Sequence, residues 1–182
     1  MKLIKFSLIV LITILFIQCK NDEKTEVEEP QTFLCCTSRA PFETENIDIL
    51  NLENTDGFII PDVFSPNMDS MNDSFVIQFT SLEGLVSLEH ISVIIYDLED
   101  NIVFENINLD INGGNWFDGK DQNGEELYFG SYKYKVVIEN EQTFVKYGYV
   151  CLVRNHSEIG DFDFSSCLFP DGTSNLDSVL FH

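Results

Sequence analysis

The chain has 182 residues, a formal net charge of −21 and 44% hydrophobic residues. That length holds one ordinary domain plus appendages, with enough apolar residues for a core. A polyanion of this size is repelled by nucleic acid and by anionic headgroups, which excludes a nucleic-acid partner; divalent cations and basic partners stay compatible with it.

The N-terminus opens with Lys2 and Lys5, then an apolar run over residues 6–17 interrupted by Ser7 and Thr13. A spanning helix needs about 20 apolar residues, so residues 1–18 read as a signal peptide. The run ends at Cys19, after Phe16-Ile17-Gln18, and resembles a bacterial lipobox in which that cysteine is lipidated. Lys20-Asn21-Asp22-Glu23 is similar to the export signal of Bacteroidetes surface lipoproteins. These features predict an outer-membrane, lipid-anchored, surface-exposed protein whose membrane contact is the lipid on Cys19. The competing reading is an uncleaved anchor with an incidental cysteine.

Residues 20–32 are charged and read as a disordered tether between lipid and domain. With residues 33–56 they make up a segment, 19–56, of acidic tether and preceding strand. Phe33 to Thr37 (FLCCT) and 46–52 (NIDILNL) are strand candidates, and Asn54-Thr55-Asp56-Gly57 is a turn. From Gly57 the strand grammar is regular. It runs through GFII, SFVIQF (74–79), HISVIIYD (90–97), NIVFE (101–105), SYKYKVVIE (131–139) and TFVKYGYVCLVR (143–154). Short polar connections at 97–101 and 140–142 predict two hairpins. In 131–139 the residues Tyr132, Tyr134, Val136 and Ile138 share one face, with Lys133 and Lys135 on the other. The expected fold is an all-β, Ig-like antiparallel sandwich of about seven strands over residues 57–154, followed by a tail, 155–182.

If Cys19 carries lipid, Cys35, Cys36, Cys151 and Cys167 remain for disulfides, with three possible connectivities. A Cys35–Cys36 bridge is disfavoured by geometry. The preferred pattern ties the segment before the domain to the last strand and the tail. Zinc is the alternative, with no His at ligand spacing.

Two loops carry chemistry. In IPDVFSPNMDSMNDSF (60–75), Asn67, Asp69, Asn72 and Asp73 offer four side-chain oxygen ligands within seven residues. Ca²⁺ wants six to eight such oxygens, so calcium is a candidate cofactor. The competing reading is that Asn and Asp cap turns through their own backbone. FDGKDQNGEE (117–126) fails as an EF-hand loop and reads as a double turn with Gly119 and Gly124 at positive φ. Trp116 reads as a core plug, and Gly130 as a bend or a close backbone approach. His90, His156 and His182 are scattered, and no nucleophile motif is present.

The first loop, IIYDLEDNIVFE (94–105) and NWFDGKDQNGEELYFGSYKYKVVI (115–138) resemble, in order and spacing, the gliding motility-associated C-terminal domain of Bacteroidetes, the type B sorting domain of type IX secretion. The resemblance covers about residues 57–154. Met68 and Ser70 stand where that family commonly has Gly, and Phe117 is inserted between Trp116 and Asp118.

The leading expectation is a non-catalytic binding or structural module on a surface lipoprotein, linked to gliding or type IX secretion, with a surface protein or glycan as partner. The first alternative is a sorting domain acting as the secretion signal. The second is a glycoside hydrolase using an acid pair such as Asp161 and Asp163. Oligomeric state stays open.

Overall fold

The computed structural model describes residues 33–37, 39, 41–42, 50–51, 58–79, 90–110, 113–139 and 143–167. All of them belong to the unit spanning residues 31–182. Cys19, the residues expected to form a signal peptide, a tether and the 54–57 turn, and those beyond 167 lie outside the described residues.

The strands in chain order are β1 (Leu50–Asn51), β2 (Phe58–Ile59), β3 (Val63–Phe64), β4 (Gln78–Phe79), β5 (His90–Tyr96), β6 (Ile102–Asn106), β7 (Gly130–Glu139) and β8 (Thr143–Leu152). The main sheet has the order β1-β8-β7-β5-β6, with β3 also pairing β8. β2 and β4 form a separate antiparallel pair. Among the described residues there is no α-helix, only a 3-10 turn at His156–Glu158 capped by Asn155.

The long strands follow their residues. Alternating aliphatic and aromatic side chains suit a pleated surface with one face buried. β7 and β8 pair antiparallel over ten residues, from Gly130↔Leu152 to Glu139↔Thr143. β5 and β6 form the expected hairpin, in which Asp97 N–H donates to Asn101 O (2.9 Å). Asp97 Oδ1 accepts from the N–H groups of Glu99 and Asn101, which fixes the turn from a single carboxylate.

Two expectations are corrected. The sheet is mixed, because β1 and β3 both run parallel to β8. FLCCT is no strand: Cys35 and Cys36 form a turn, with Cys36 at φ 64°. The two adjacent cysteines bridge to different places, and extended backbone would send their side chains to opposite faces.

The core lies beneath the sheet. Ile91, Val93 and Ile95 of β5, Tyr132, Tyr134, Val136 and Ile138 of β7, and Val150 and Leu152 of β8 pack against Phe64, Phe75, Ile77, Trp116 and Phe117. Trp116 is a core residue, as its sequence context predicts. Phe117, the inserted residue, is fully buried, with ring centroids 5.3 Å from both Phe64 and Phe104. The opposite face of β8 carries a second cluster, in which Tyr149, Cys151 and Val153 meet Val63, Phe33, Cys35, Phe164 and Cys167. β8 is therefore buried on both faces, which its run YVCLV permits.

Candidate functional site

The two loops singled out above meet where β8 ends and β7 begins. Phe75 and Phe117 form an antiparallel bridge, with Phe75 N–H donating to Phe117 O (2.8 Å). A small cleft of about 140 Å³ between the loops is lined by Pro66, Met68, Asp73, Ser74, Asp118, Lys120, Glu126 and Arg154. Gly119, at φ 80°, lets the loops touch: a Cβ there would lie 2.9 Å from Leu152 Cδ1 and 3.0 Å from Pro66 Cγ. Gly124 is at φ 83°, so both glycines take the predicted positive φ.

In the first loop Asp73 Oδ1 accepts from the backbone N–H groups of Asn67 (3.1 Å) and Met68 (2.8 Å), and Oδ2 from that of Ser70 (2.9 Å). Asp69 Oδ1 accepts from Met71 N–H (2.8 Å), and its Oδ2 from Asn67 Nδ2 (3.0 Å). Asn67 Oδ1 accepts from Asp69 N–H, and Asn72 O from Ser65 N–H. The carboxylates thus hold a turn whose backbone is left-handed at Met68 (φ 66°), Ser70 (φ 70°) and Asn72 (φ 55°). This is the turn-capping chemistry of Asx residues, and it operates with protein donors alone. A cation at Asn67, Asp69 and Asp73 would compete with those N–H donors for the same oxygens.

The second loop repeats the device. Asp121 Oδ1 accepts from Asn123 N–H (2.8 Å) and Glu125 N–H (2.9 Å), and Oδ2 accepts from Asn123 Nδ2 (3.0 Å). The Glu125 N–H, then the Asn123 amide, hold the Asp121 carboxyl below its ordinary range. Leu127 N–H returns to Gly119 O (2.9 Å), and Arg154 Nη2 donates to Leu127 O (2.9 Å). Tyr132 closes the end of the sheet by donating its hydroxyl to Tyr128 O (2.7 Å), and burial pushes its pKa up to about 12.

The four cysteines join as Cys35–Cys151 and Cys36–Cys167, with Cα separations of 5.6 and 4.6 Å. The Sγ atoms of Cys35, Cys36 and Cys167 lie within 4.8 Å of one another. Ser131 steadies this clasp, its Oγ accepting from Leu34 N–H (2.5 Å) and lying 3.6 Å from Cys151 Sγ. Nothing in the sequence marked Ser131 for that role. Lys133 is also unanticipated: it is 7% exposed rather than on an open face. Its Nζ donates to Leu98 O and Asp100 Oδ1 (2.8 Å each) and lies 5.6 Å from the Phe42 ring. Among the acid-pair candidates, Asp163 accepts from Ser165 N–H and so caps a turn.

Residues 58–152, just over half the chain, match the CHU_C Type IX secretion signal domain. The chain belongs to that family. The CHU_C region runs from the first residue of β2 to the last of β8, and it contains both loops and the whole core beneath the sheet. Cys35, Cys36 and Cys167 fall outside it, and Cys151 inside. A secretion signal domain of this kind is non-catalytic and implies a secreted or cell-surface protein. No curated protein matches the chain.

Proposed function

We propose that residues 58–152 act as an export address, read as a folded domain by the type IX secretion apparatus. The CHU_C match over residues 58–152, which runs from β2 to β8, carries this reading. It favours the sorting-domain alternative over a binding module on a surface lipoprotein. In the finer reading of the fold, the domain is an Ig-like sandwich. The Tyr132 hydroxyl bonded four residues upstream, at the start of β7, supports this because it resembles the tyrosine corner of such sandwiches.

Anchoring through lipid on Cys19 is compatible with export by this route and forms a separate proposal. Both are tested by following the full chain, the chain lacking 58–152 and Cys19→Ala in hosts with and without a working type IX apparatus. The sorting reading expects the full chain on the surface only in the competent host, and the deletion in neither. Equal surface display in both hosts would leave the lipid route alone standing. The anchor expects Cys19→Ala to be released into the medium rather than retained by the membrane.

Calcium in the 67–73 loop is a further proposal, supported by four oxygen-bearing side chains gathered in one turn. It expects Ca²⁺ to raise the melting temperature of wild type but not of Asp69→Ala/Asp73→Ala. Identical wild-type curves in Ca²⁺ and in chelator would remove it.

A further inference from the structure

If residues 58–152 are an export address, some surface of the domain must be read. The described residues offer few apolar features at the surface. Six large hydrophobics are exposed: Met68, Met71, Leu98, Ile102, Ile107 and Tyr128. Leu98 (38%), Ile102 (49%) and Ile107 (59%) all belong to the β5–β6 hairpin and the segment that continues it.

β6 ends the sheet order, and among the described residues its only strand partner is β5. Beyond that ladder, no backbone hydrogen bond joins residues 102–106 to any described residue. An edge of this kind presents a row of N–H and C=O groups that an added strand can pair. Leu109 N–H returns to Ile91 O (2.9 Å), so the hairpin stays attached to β5 beyond β6.

The border of this edge is acidic. Asp97, Glu99, Asp100, Glu105 and Asp110 lie on the hairpin or directly after it. Lys133, paired with Asp100, is the only cation hydrogen-bonded to the hairpin among the described residues. The Tyr96 phenol registers the same field: its pKa is raised by burial first, then by Tyr147, Glu105 and Asp100. Like charges facing each other across a strand pair are destabilising. Two copies of this chain would set acidic edge against acidic edge, so a second copy is a poor occupant.

We propose that the β6 edge is the surface read during export, and that its partner is an extended strand carrying alternate apolar residues flanked by Lys or Arg. Such a strand would cover Ile102 and Ile107, pair the open backbone and neutralise Glu105. This inference rests on the sorting reading and names the surface and partner chemistry for it.

The test uses the full chain in a type IX-competent host. Ile102→Thr/Ile107→Thr keeps strand propensity and removes the apolar contact. Glu105→Lys reverses an exposed charge with little demand on folding. Tyr128→Thr, at a position 72% accessible and outside the hairpin residues 90–106, serves as control. The expected result is a fivefold or greater loss of surface protein for the first two variants, at wild-type melting temperature, with Tyr128→Thr unaffected. If the Thr pair lowers the melting temperature, Glu105→Lys alone decides. Normal display of Glu105→Lys, with the 58–152 deletion retained inside, would overturn the edge and keep the sorting reading. Normal display of the deletion would overturn the sorting reading itself. A dimer in sedimentation that Glu105→Lys weakens or abolishes would assign the edge to a second copy and overturn the proposed partner.

Discussion

The two faces of β8 are covered by different means. Beneath it, Val150 and Leu152 join a cluster of sixteen buried residues drawn from the CHU_C region. Above it, Tyr149, Cys151 and Val153 meet a smaller cluster whose remaining members include Phe33, Cys35, Phe164 and Cys167, outside that region. The lower core is large enough to hold by burial of apolar area. The upper one is smaller and gathers short segments from far apart in sequence, and there two disulfides span 116 and 131 residues. Covalent closure substitutes for area where a small core cannot offset chain entropy.

The sharpest break in this comparison is Phe117→Ala. Removing a fully buried ring beneath the sheet is expected to cost ~4 kcal/mol, read as a lower urea midpoint at unchanged slope. Cys36→Ser/Cys167→Ser should cost less, ~3 kcal/mol, because the lower core stays intact. Near-equal losses would mean that the two clusters unfold as one unit of comparable weight. Loss of all structure in the cysteine variant would mean that the upper cluster is required for the lower.

A smaller effect, of opposite sign, is expected in the first loop. Met68 and Ser70 occupy left-handed backbone that favours Gly, and both are exposed. A side chain there costs ~1 kcal/mol, partly returned as entropy in the unfolded chain. Met68→Gly and Ser70→Gly should each raise stability by roughly 0.5 kcal/mol. A loss would show that side-chain contacts outweigh the backbone term.

The last comparison is in pH. Tyr132 is neutral when protonated, and burial pushes its folded pKa to about 12 from 10.0. The unfolded chain releases this proton first, so the contribution is full below pH 10 and is lost as pH rises towards 12. Wild type should therefore lose its advantage over Tyr132→Phe in that window, seen as denaturant midpoints that converge as pH rises from 10 to about 12. At neutral pH the variant should cost ~1 kcal/mol for the hydrogen bond to Tyr128 O. Parallel curves would place the hydroxyl in water.

Much of this was legible in the residues. The period of two in 131–139 identifies the inward face of β7, and polar breaks at 97–101 and 140–142 locate the hairpins. Positive φ at Gly119 and Gly124 follows from glycine in a polar double turn. The same periodicity misplaces Lys133, because it distinguishes faces but not what covers them. Phe42 and the 97–101 turn cover that face from distant positions. β3 is missed for a related reason: two residues carry no period, and Val63 and Phe64 form a strand only because Cys151 and Leu152 stand beside them.

The sequence alone determined a β-rich domain, its long strands, its left-handed glycines and its resemblance to a sorting domain, because these depend on local pattern. Only the tertiary structure decided that the sheet is mixed, that Phe117 is central, that Cys35 bonds Cys151 and Cys36 bonds Cys167, and that the edge beside β6 is open among the described residues. Each of these is a long-range choice among partners that local propensity leaves nearly equal, and it is fixed by which faces can be buried together.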